Sequence, residues 1–274
     1  MKAVSDALKE TIETLQQLET LKRFGFGLAG GTNIALRLEH RMSIDIDLFT
    51  NQIIGDKGYT MIGEELIDVI KIDPKQYHYH FQNNNEKFGS SKLMYPLSDG
   101  KKIKVDIIDN VQRLNPLETK NNISLLSLKD VGVQKLIALG GRVHKKDFYD
   151  LDHITDQIPL MDLMAHLETK LKQYPYPQYD SIFEKNLLGY PTQRTKLLLS
   201  YIELYPGEYD HQLRQQTIQP IRGKTWEASE KSWIQKARQA IYQNDRYPQD
   251  LFNIKTLKKD VSPQKQQDEY GYGY

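Results

Sequence analysis

Residues 28–49, LAGGTNIALRLEHRMSIDIDLF, decide the fold of this chain. The run before them, residues 24–29, is apolar and aromatic, which predicts a strand that ends at the pair Gly30-Gly31. Residues 32–38 then have the pattern of a short helix. Glycines in such a turn let the backbone approach a ligand closely, and the N–H groups at the start of the helix can bind phosphate. The sequence therefore predicts a strand, a turn and a helix that together can bind an anion.

Two carboxylates follow in the next predicted strand, residues 44–49. Residues two apart in a strand point to the same face, so Asp45 and Asp47 are expected to lie side by side. The apolar residues of this strand, Ile44, Ile46 and Leu48, are expected to face the core. Neighbouring carboxylates repel each other, and a divalent cation that prefers oxygen ligands would offset that repulsion. The alternative is a solvated polar strand face, which the low strand propensity of aspartate disfavours.

A third carboxylate lies in a predicted β-meander made of residues 77–81, 92–95 and 102–108. Asp106 stands between two apolar residues of the last strand, so its side chain is expected on the polar face. Three carboxylates on neighbouring strands can hold two metal ions, one activating the attacking oxygen and one stabilising a leaving phosphate. Asp109 lies beyond the strand and is predicted to be a turn residue.

The remaining pattern is mostly helical. Helices are predicted at residues 3–22, 59–70 (with Met61, Leu66 and Ile70 on its apolar side), 128–139, 147–154 and 225–242. We expect an α+β (mixed α/β) chain with a small mixed sheet flanked by helices in residues 1–120. A mostly helical domain is expected in residues 121–261, followed by a Gln- and Tyr-rich tail, residues 262–274, that is predicted to be disordered.

The charge is unevenly distributed along the 274 residues, although the net charge is only +1. Residues 92–146 contain 11 Lys and Arg against 5 Asp and Glu, and residues 206–259 contain 10 against 6. The neutral total excludes a wholly basic polyanion binder and an acidic disordered chain. The two basic blocks favour local contact with a polyanion, with an ordinary solvated surface as the alternative.

Cysteine is absent, which excludes a disulfide scaffold, a cysteine nucleophile and a thiolate metal site. No apolar run approaches the roughly 18 residues that a membrane span needs, and the N-terminus lacks the apolar core of a signal peptide. We therefore expect a cytoplasmic protein without a membrane partner.

The glycine turn, the paired aspartates and the later strand aspartate together resemble the nucleotidyltransferase superfamily, which has the DNA polymerase β-like fold. Residues 28–49 as a whole are similar to the AbiEii/AbiGii toxin family of type IV toxin–antitoxin and abortive-infection systems. Residues 130–135 and 145–151 are similar to downstream motifs of that family. The resemblance covers residues 24–155 and implies a nucleotidyltransferase-type N-terminal domain.

The resemblance implies specific roles for these residues. Asp45, Asp47 and Asp106 would bind Mg²⁺ or Mn²⁺, and with Lys135 they form the expected catalytic set. The residues expected to bind a nucleoside triphosphate (NTP) are Gly30, Gly31, Thr32, Ser43, Lys135 and, from the basic loop 140–146, Arg142 and Lys146. Many family members have serine where this chain has Gly31, so Thr32 is the candidate for the phosphate-binding hydroxyl.

Two further aspartates are expected to support the site. Asp147 would orient it or pair with Lys135, and Asp150 would cap or brace its helix. Asp106 is also a candidate base for the acceptor hydroxyl.

The implied function is a metal-dependent transfer of a nucleoside monophosphate from an NTP to a hydroxyl, with the end of a tRNA as the expected acceptor. As the toxin of a toxin–antitoxin pair, the protein would have a cognate antitoxin as its partner. Two alternatives stay open. The acceptor could be a small molecule such as an antibiotic, or a protein side chain, or the fold could serve as a non-catalytic binding module.

Overall fold

The predicted mixed α/β organisation is confirmed by the computed structural model, which describes residues 2–81, 88–175, 179, 183, 187–200 and 216–243. Its helices are α1 (Asp6–Gln17), α2 (Glu19–Arg23), α3 (Gly30–Leu38), α4 (Gly55–Ile70), α5 (Leu128–Gly141), α6 (Lys145–Ile154), α7 (Leu160–Gln173) and α8 (Trp226–Gln243). Its strands are β1 (Gly27–Leu28), β2 (Ile46–Phe49), β3 (Tyr77–Phe81), β4 (Gly89–Pro96), β5 (Lys102–Ile108), β6 (Glu118–Lys120) and β7 (Ile123–Leu125).

The strands form one mixed sheet with the order β3-β4-β5-β2-β1-β7-β6. The β3–β5 meander is antiparallel, as predicted, whereas β2 runs parallel to β5 and β1 runs parallel to β7. The register of β2 and β5 aligns Asp47 with Asp106. This pairing joins two sequence motifs that are far apart in the chain.

Alternation along the strands sends side chains into two separate cores. Ile46 and Leu48 of β2 pack with α1 and α4, and Val105 and Ile107 of β5 join the same core. On the other face, Phe49 and Ile108 pack into a core built largely from α5, α6, α7 and α8. Asp47 and Asp106 lie on this second face, two residues before Phe49 and Ile108, where the apolar packing gives way to a cavity.

Three local predictions are wrong. Ile44 does not face the core but is 63% exposed, because β2 begins only at Ile46. The chain before β2 is held outside the sheet instead, where Ser43 N donates to Ala3 O. The single helix predicted for residues 3–22 is broken at Leu18, whose ψ is 130°. Met61 is exposed, whereas Leu66 is buried as predicted and shares the buried face of α4 with Tyr59 and Ile62.

The strands β6 and β7 were not predicted, because each has only three residues and β6 is exposed throughout. They pair with each other across residues 121–122, and β7 also pairs with β1, so the sheet continues past residue 120, the expected end of the first domain. The domain division itself stays a prediction, and the tail at residues 262–274 lies outside the described residues.

The last helix is attached to α6 through a buried carboxylate. Asp152 is fully buried and accepts hydrogen bonds from Lys224, Lys236, Ser229 and Ser232. Two cations of the second basic block therefore stabilise the fold. Within the part of the chain that the structure describes, no helix is long and apolar enough to cross a membrane.

Candidate active site

The start of α3 is fixed by a buried asparagine. Asn33 is fully buried, and its amide donates to Leu28 O at the end of β1 (2.8 Å) and to Leu126 O after β7 (2.9 Å). Arg37 Nε donates in turn to Asn33 Oδ1 (2.8 Å). These contacts hold the first turn of α3, with its unpaired N–H groups, at the same edge of the sheet as the carboxylates.

Gly30 makes the sharp turn from β1 into α3. Its φ is +60°, and a Cβ atom at this position would lie 1.8 Å from Asp47 Oδ2. The turn therefore requires glycine both for its backbone conformation and for the close approach of the carboxylate. The predicted glycine turn is thus placed directly against Asp47, the carboxylate of β2.

Asp45, Asp47 and Asp106 line one cavity of about 470 Å³, which we call the polar cavity. Asp45 precedes β2 rather than lying on its face, but the three carboxylates are still brought together. The other charged residues on the walls are Arg41, Lys104, Lys135, Arg142, Lys146 and Asp147. The structure also places Gly31 and Ser43 here, so most of the predicted site residues meet in one place.

The surroundings of Asp47 disfavour the ionised form of its carboxyl group. Burial raises the pKa of Asp47 to about 6, and the negative charges of Asp106 and Asp45 add to the rise. Among the described residues, none donates a hydrogen bond to its carboxylate. Asp106 has a partner, because Lys104 Nζ lies 2.5 Å from its Oδ2. Further positive charge at Asp47 would therefore stabilise the ionised site.

The chemistry of these donors suits a hard divalent cation. Within the described ranges, no group of three or more His, Asp or Glu side chains is already arranged as a metal site. The crowding of carboxylates around Asp47 is nevertheless the type of donor set that Mg²⁺ or Mn²⁺ prefers. Asp45, Asp47 and Asp106 are the residues that would hold such an ion.

Lys135 reaches the cavity from α5 as part of a buried charge cluster. Its Nζ lies 2.7 Å from Asp147 Oδ1 and 2.8 Å from Asp150 Oδ2. Arg142 also binds Asp147, with Nε 2.9 Å from Oδ2. Although burial alone would raise the pKa of Asp147, the charges of Lys135 and Arg142 hold it below its usual range. Of the two expected roles of Asp147, pairing with Lys135 is seen.

Asp150 lies behind Lys135 and binds Arg41, a residue for which the sequence pattern predicts no role. Arg41 donates from Nε (2.6 Å) and from its second terminal nitrogen (2.8 Å) to the two carboxylate oxygens. His40 Nε2 lies 2.7 Å from the same carboxylate. Burial opposes ionisation, but Arg41 and Lys135 hold the pKa of Asp150 well below its usual value. Asp150 therefore braces the site by joining α6, α5 and the segment before β2.

Thr32 has a different role from the one expected. It is fully buried, and its hydroxyl bonds Ser43 Oγ (2.9 Å) and the carbonyl oxygen of Asp45. It therefore positions Asp45 and does not supply a hydroxyl to the cavity. The expected loop cations do reach the cavity, since Arg142 and Lys146 both line it.

Carboxylates beside an anion-binding helix start are the arrangement expected of a nucleotidyltransferase. The chain belongs to the AbiEii family of nucleotidyltransferase toxins, because residues 21–244 match the family described as "Nucleotidyl transferase AbiEii toxin, Type IV TA system". The predicted resemblance is confirmed, and the match extends it well beyond residue 155 into the helical half.

Other similar proteins have been found in bacteria. An uncharacterized protein from Aquifex aeolicus (strain VF5) is 30% identical over 151 residues, which are 52% of this chain and 64% of that protein. The chain thus matches less than two thirds of that relative. MenT4, a nucleotidyltransferase toxin from Mycobacterium tuberculosis H37Rv, is 14% identical over 88% of this chain and 85% of its own, with a TM-score of 0.47. A protein solved as a candidate nucleotidyltransferase from H. pylori is 13% identical over 86% of this chain and 96% of its own, with a TM-score of 0.45.

Replacing Gly30 with alanine is expected to displace the Asp47 carboxylate, because the new Cβ atom would overlap its Oδ2. We expect a loss of about 1–3 kcal/mol in the free energy of unfolding, which urea denaturation measures. Gly100→Ala is the matched control, since Gly100 also has a positive φ but has no heavy atom within 4 Å of an added Cβ. Equal losses in the two variants would show that backbone strain alone matters and that Asp47 is not displaced.

Proposed function

We propose that this protein transfers a nucleoside monophosphate from an NTP to a hydroxyl group of RNA, with the end of a tRNA as the first candidate acceptor. The observation that carries the proposal is the alignment of Asp47 with Asp106 beside the Gly30 turn and within the same cavity as Lys135. Such a site places negative carboxylates where a cation can bind and positive side chains where phosphates can bind.

The protein's own groups account for most of the binding. The first turn of α3 directs N–H groups toward the triphosphate, and Arg142 and Lys146 add positive charge to the cavity wall. Asp147 holds both Lys135 and Arg142, so the two cations are oriented before substrate arrives. Lys135 itself is neutralised by two carboxylates, which makes Arg142, with 47% of its side chain exposed, the more available phosphate ligand.

The reaction forms one bond from the acceptor oxygen to the α-phosphorus and breaks the bond from that phosphorus to the pyrophosphate. A Mg²⁺ or Mn²⁺ ion bound by Asp45, Asp47 and Asp106 would neutralise the charge that develops on the phosphate oxygens. Asp106 is the candidate acceptor of the hydroxyl proton, and Lys104 at 2.5 Å keeps its carboxylate in position. The described residues otherwise act by positioning and by electrostatics.

The identity of the acceptor is tested by offering several classes of candidate acceptor in one reaction. The protein is incubated with each α-labelled NTP, Mg²⁺, total tRNA, an aminoglycoside and a protein extract, and the products are then separated. We expect label on RNA that is lost in Asp45→Asn. Label on the small molecule or on protein would replace RNA as the acceptor. Absence of label on any acceptor would contradict catalysis and favour a binding module.

RNA binding is expected to weaken steeply with salt, because Lys104, Arg142 and Lys146 lie at the polar cavity and displace counterions from phosphates. In filter-binding assays, Lys146→Gln should reduce the slope of log K against log salt by about 0.7–1. Lys57→Gln is the control, since Lys57 is exposed on α4. An affinity that does not change with salt would contradict an RNA partner at this cavity.

A cognate antitoxin is the partner that the family description suggests. We propose that it suppresses the toxicity of the chain in cells, and co-expression with the neighbouring gene product tests this. Toxicity that persists in Asp45→Asn would show that growth inhibition does not depend on the proposed site. A cytoplasmic location stays a prediction from the sequence.

A further inference from the structure

A second cavity adjoins the polar cavity at the carboxylates. Its volume is about 340 Å³, within the range of about 300–1,000 Å³ that is usual for small-molecule sites. The two cavities share the walls formed by Gly31, Asp47, Asp106, Lys135 and Arg142. A ligand with its anionic part at these shared residues can therefore extend another chemical group into the second cavity.

The walls away from the shared residues are mostly apolar, so we call this space the apolar cavity. They include Phe49, Ile108, Val131 and Ala138. Phe183 also lines it, with its ring centroid 5.2 Å from that of Phe49. Aromatic and aliphatic walls of this type suit a flat nucleobase, which gains from stacking and from loss of contact with water.

Three polar side chains interrupt these walls among the described residues, namely Ser90 and Lys92 of β4 and Gln134 of α5. Val131, Gln134 and Ala138 recur at helical spacing, so one face of α5 presents them to the apolar cavity. Gln134 is only 9% exposed, and its Oε1 atom has no hydrogen-bond partner in the described part of the chain. A buried amide oxygen without a partner costs about 1–3 kcal/mol. Rotation of the Gln134 side chain toward an N–H group of a ligand in the cavity would remove this cost.

We propose that the apolar cavity binds the base of the donor NTP and that Gln134 selects the base through a hydrogen bond to its side-chain amide. This rests on the proposed function, because the shared walls are taken to hold the triphosphate. Lys104 and Lys146 lie only on the polar side, whereas Lys92 is the one cation in the described ranges that lines only the apolar cavity. The balance of charge therefore favours phosphates on the polar side and the base on the apolar side. The terminal base of an acceptor RNA is the competing occupant.

The test measures dissociation constants for ATP, GTP, CTP, UTP and inorganic tripolyphosphate in Mg²⁺, without acceptor. We expect the wild type to bind its preferred NTP at least about tenfold more tightly than tripolyphosphate. Gln134→Leu should reduce the spread among the dissociation constants of the four NTPs to about threefold or less. It should leave the dissociation constant of tripolyphosphate unchanged. Its melting temperature should not fall, since the substitution removes an unsatisfied buried amide.

Gln76→Leu is the matched control, because Gln76 also has a buried Oε1 without a partner among the described residues but lies outside both cavities. It should keep the full spread among NTPs. Gln134→Glu, which preserves volume but replaces the amide, should change the order of preference and serves if the leucine variant does not fold.

Several results would overturn the inference. Equal binding of all four NTPs and tripolyphosphate by the wild type would exclude a base site. An unchanged spread in Gln134→Leu would exclude Gln134 as the selecting residue, and if transfer still required Asp47, the proposed function would stand. A Gln134 effect confined to the acceptor's terminal base would assign the cavity to the acceptor. Conversely, if NTP selectivity depends on Gln134 but no nucleotide is transferred to any acceptor, the proposed function would be refuted and the base site would stand.

Discussion

Asp47→Asn is expected to lower the rate of nucleotide transfer by at least about 10²–10³-fold and at the same time to stabilise the folded protein. Asp47 is partly buried, and its pKa is raised to about 6 by burial and by the charges of Asp106 and Asp45. At pH 7 the folded state must therefore keep an unfavourable charge. Removing it should raise the free energy of unfolding by about 1–3 kcal/mol.

The measurement pairs steady-state transfer kinetics with thermal unfolding at pH 7. Asp68→Asn is the control, because Asp68 is exposed on α4. It should leave the transfer rate unchanged and should change the free energy of unfolding by no more than about 0.5 kcal/mol. Adding Mg²⁺ should stabilise the wild type more than Asp47→Asn, since the variant lacks the negative charge of one of the expected carboxylate ligands. An Asp47→Asn protein that is less stable than the wild type, or fully active, would refute this account of the carboxylates.

Asp150→Asn is expected to destabilise the protein by about 3–5 kcal/mol, because it leaves buried cations without their counter-charge. Asp150 is fully buried and contacts Arg41, Lys135 and His40. Denaturation with urea at pH 7 measures the loss. Asp99→Asn, which removes a solvent-exposed ion pair with Lys101, is the control and should leave the midpoint of the urea transition almost unchanged.

The stability conferred by Asp150 has a predictable pH dependence. Its pKa is held well below the usual value in the folded protein, so its contribution is complete above the unfolded pKa of about 3.9 and is lost as the pH falls further. The difference in stability between wild type and Asp150→Asn should therefore shrink below about pH 4. A difference that is small at pH 7, or that grows in acid, would show that the charge of Asp150 does not hold the site together.

The parts of the site that depend on local sequence patterns could be predicted from the sequence. Gly30 and the Asp45–Asp47 pair lie within one strand–helix–strand unit, and strand alternation alone places Asp106 on a polar face. The pairing of Asp47 with Asp106 depends on the order of strands in the sheet, which local periodicity does not encode. The resemblance to a known family implied only that Asp47 and Asp106 belong to one site.

Contacts between residues that are far apart in the chain could not be predicted from local patterns. Arg41 and Asp150 are 109 positions apart, and nothing local indicates that they pair. Strand alternation also failed to predict that Ile44 is exposed, because the segment before β2 is held by contacts to Ala3 and Gln219 instead of by the sheet. The resemblance predicts a phosphate-binding hydroxyl at Thr32, whereas this side chain is buried and its hydroxyl bonds the carbonyl oxygen of Asp45.

The most direct test of nucleotidyl transfer compares two labels on the same NTP. The protein, Mg²⁺ and tRNA are incubated with the preferred NTP labelled at either the α- or the γ-phosphorus, and label on the RNA is measured for the wild type and for Asp47→Asn. The account predicts label on RNA from the α-position only, in the wild type only, with one pyrophosphate released for each nucleotide added. Label on RNA from the γ-position, or equal α-label in Asp47→Asn, would contradict it.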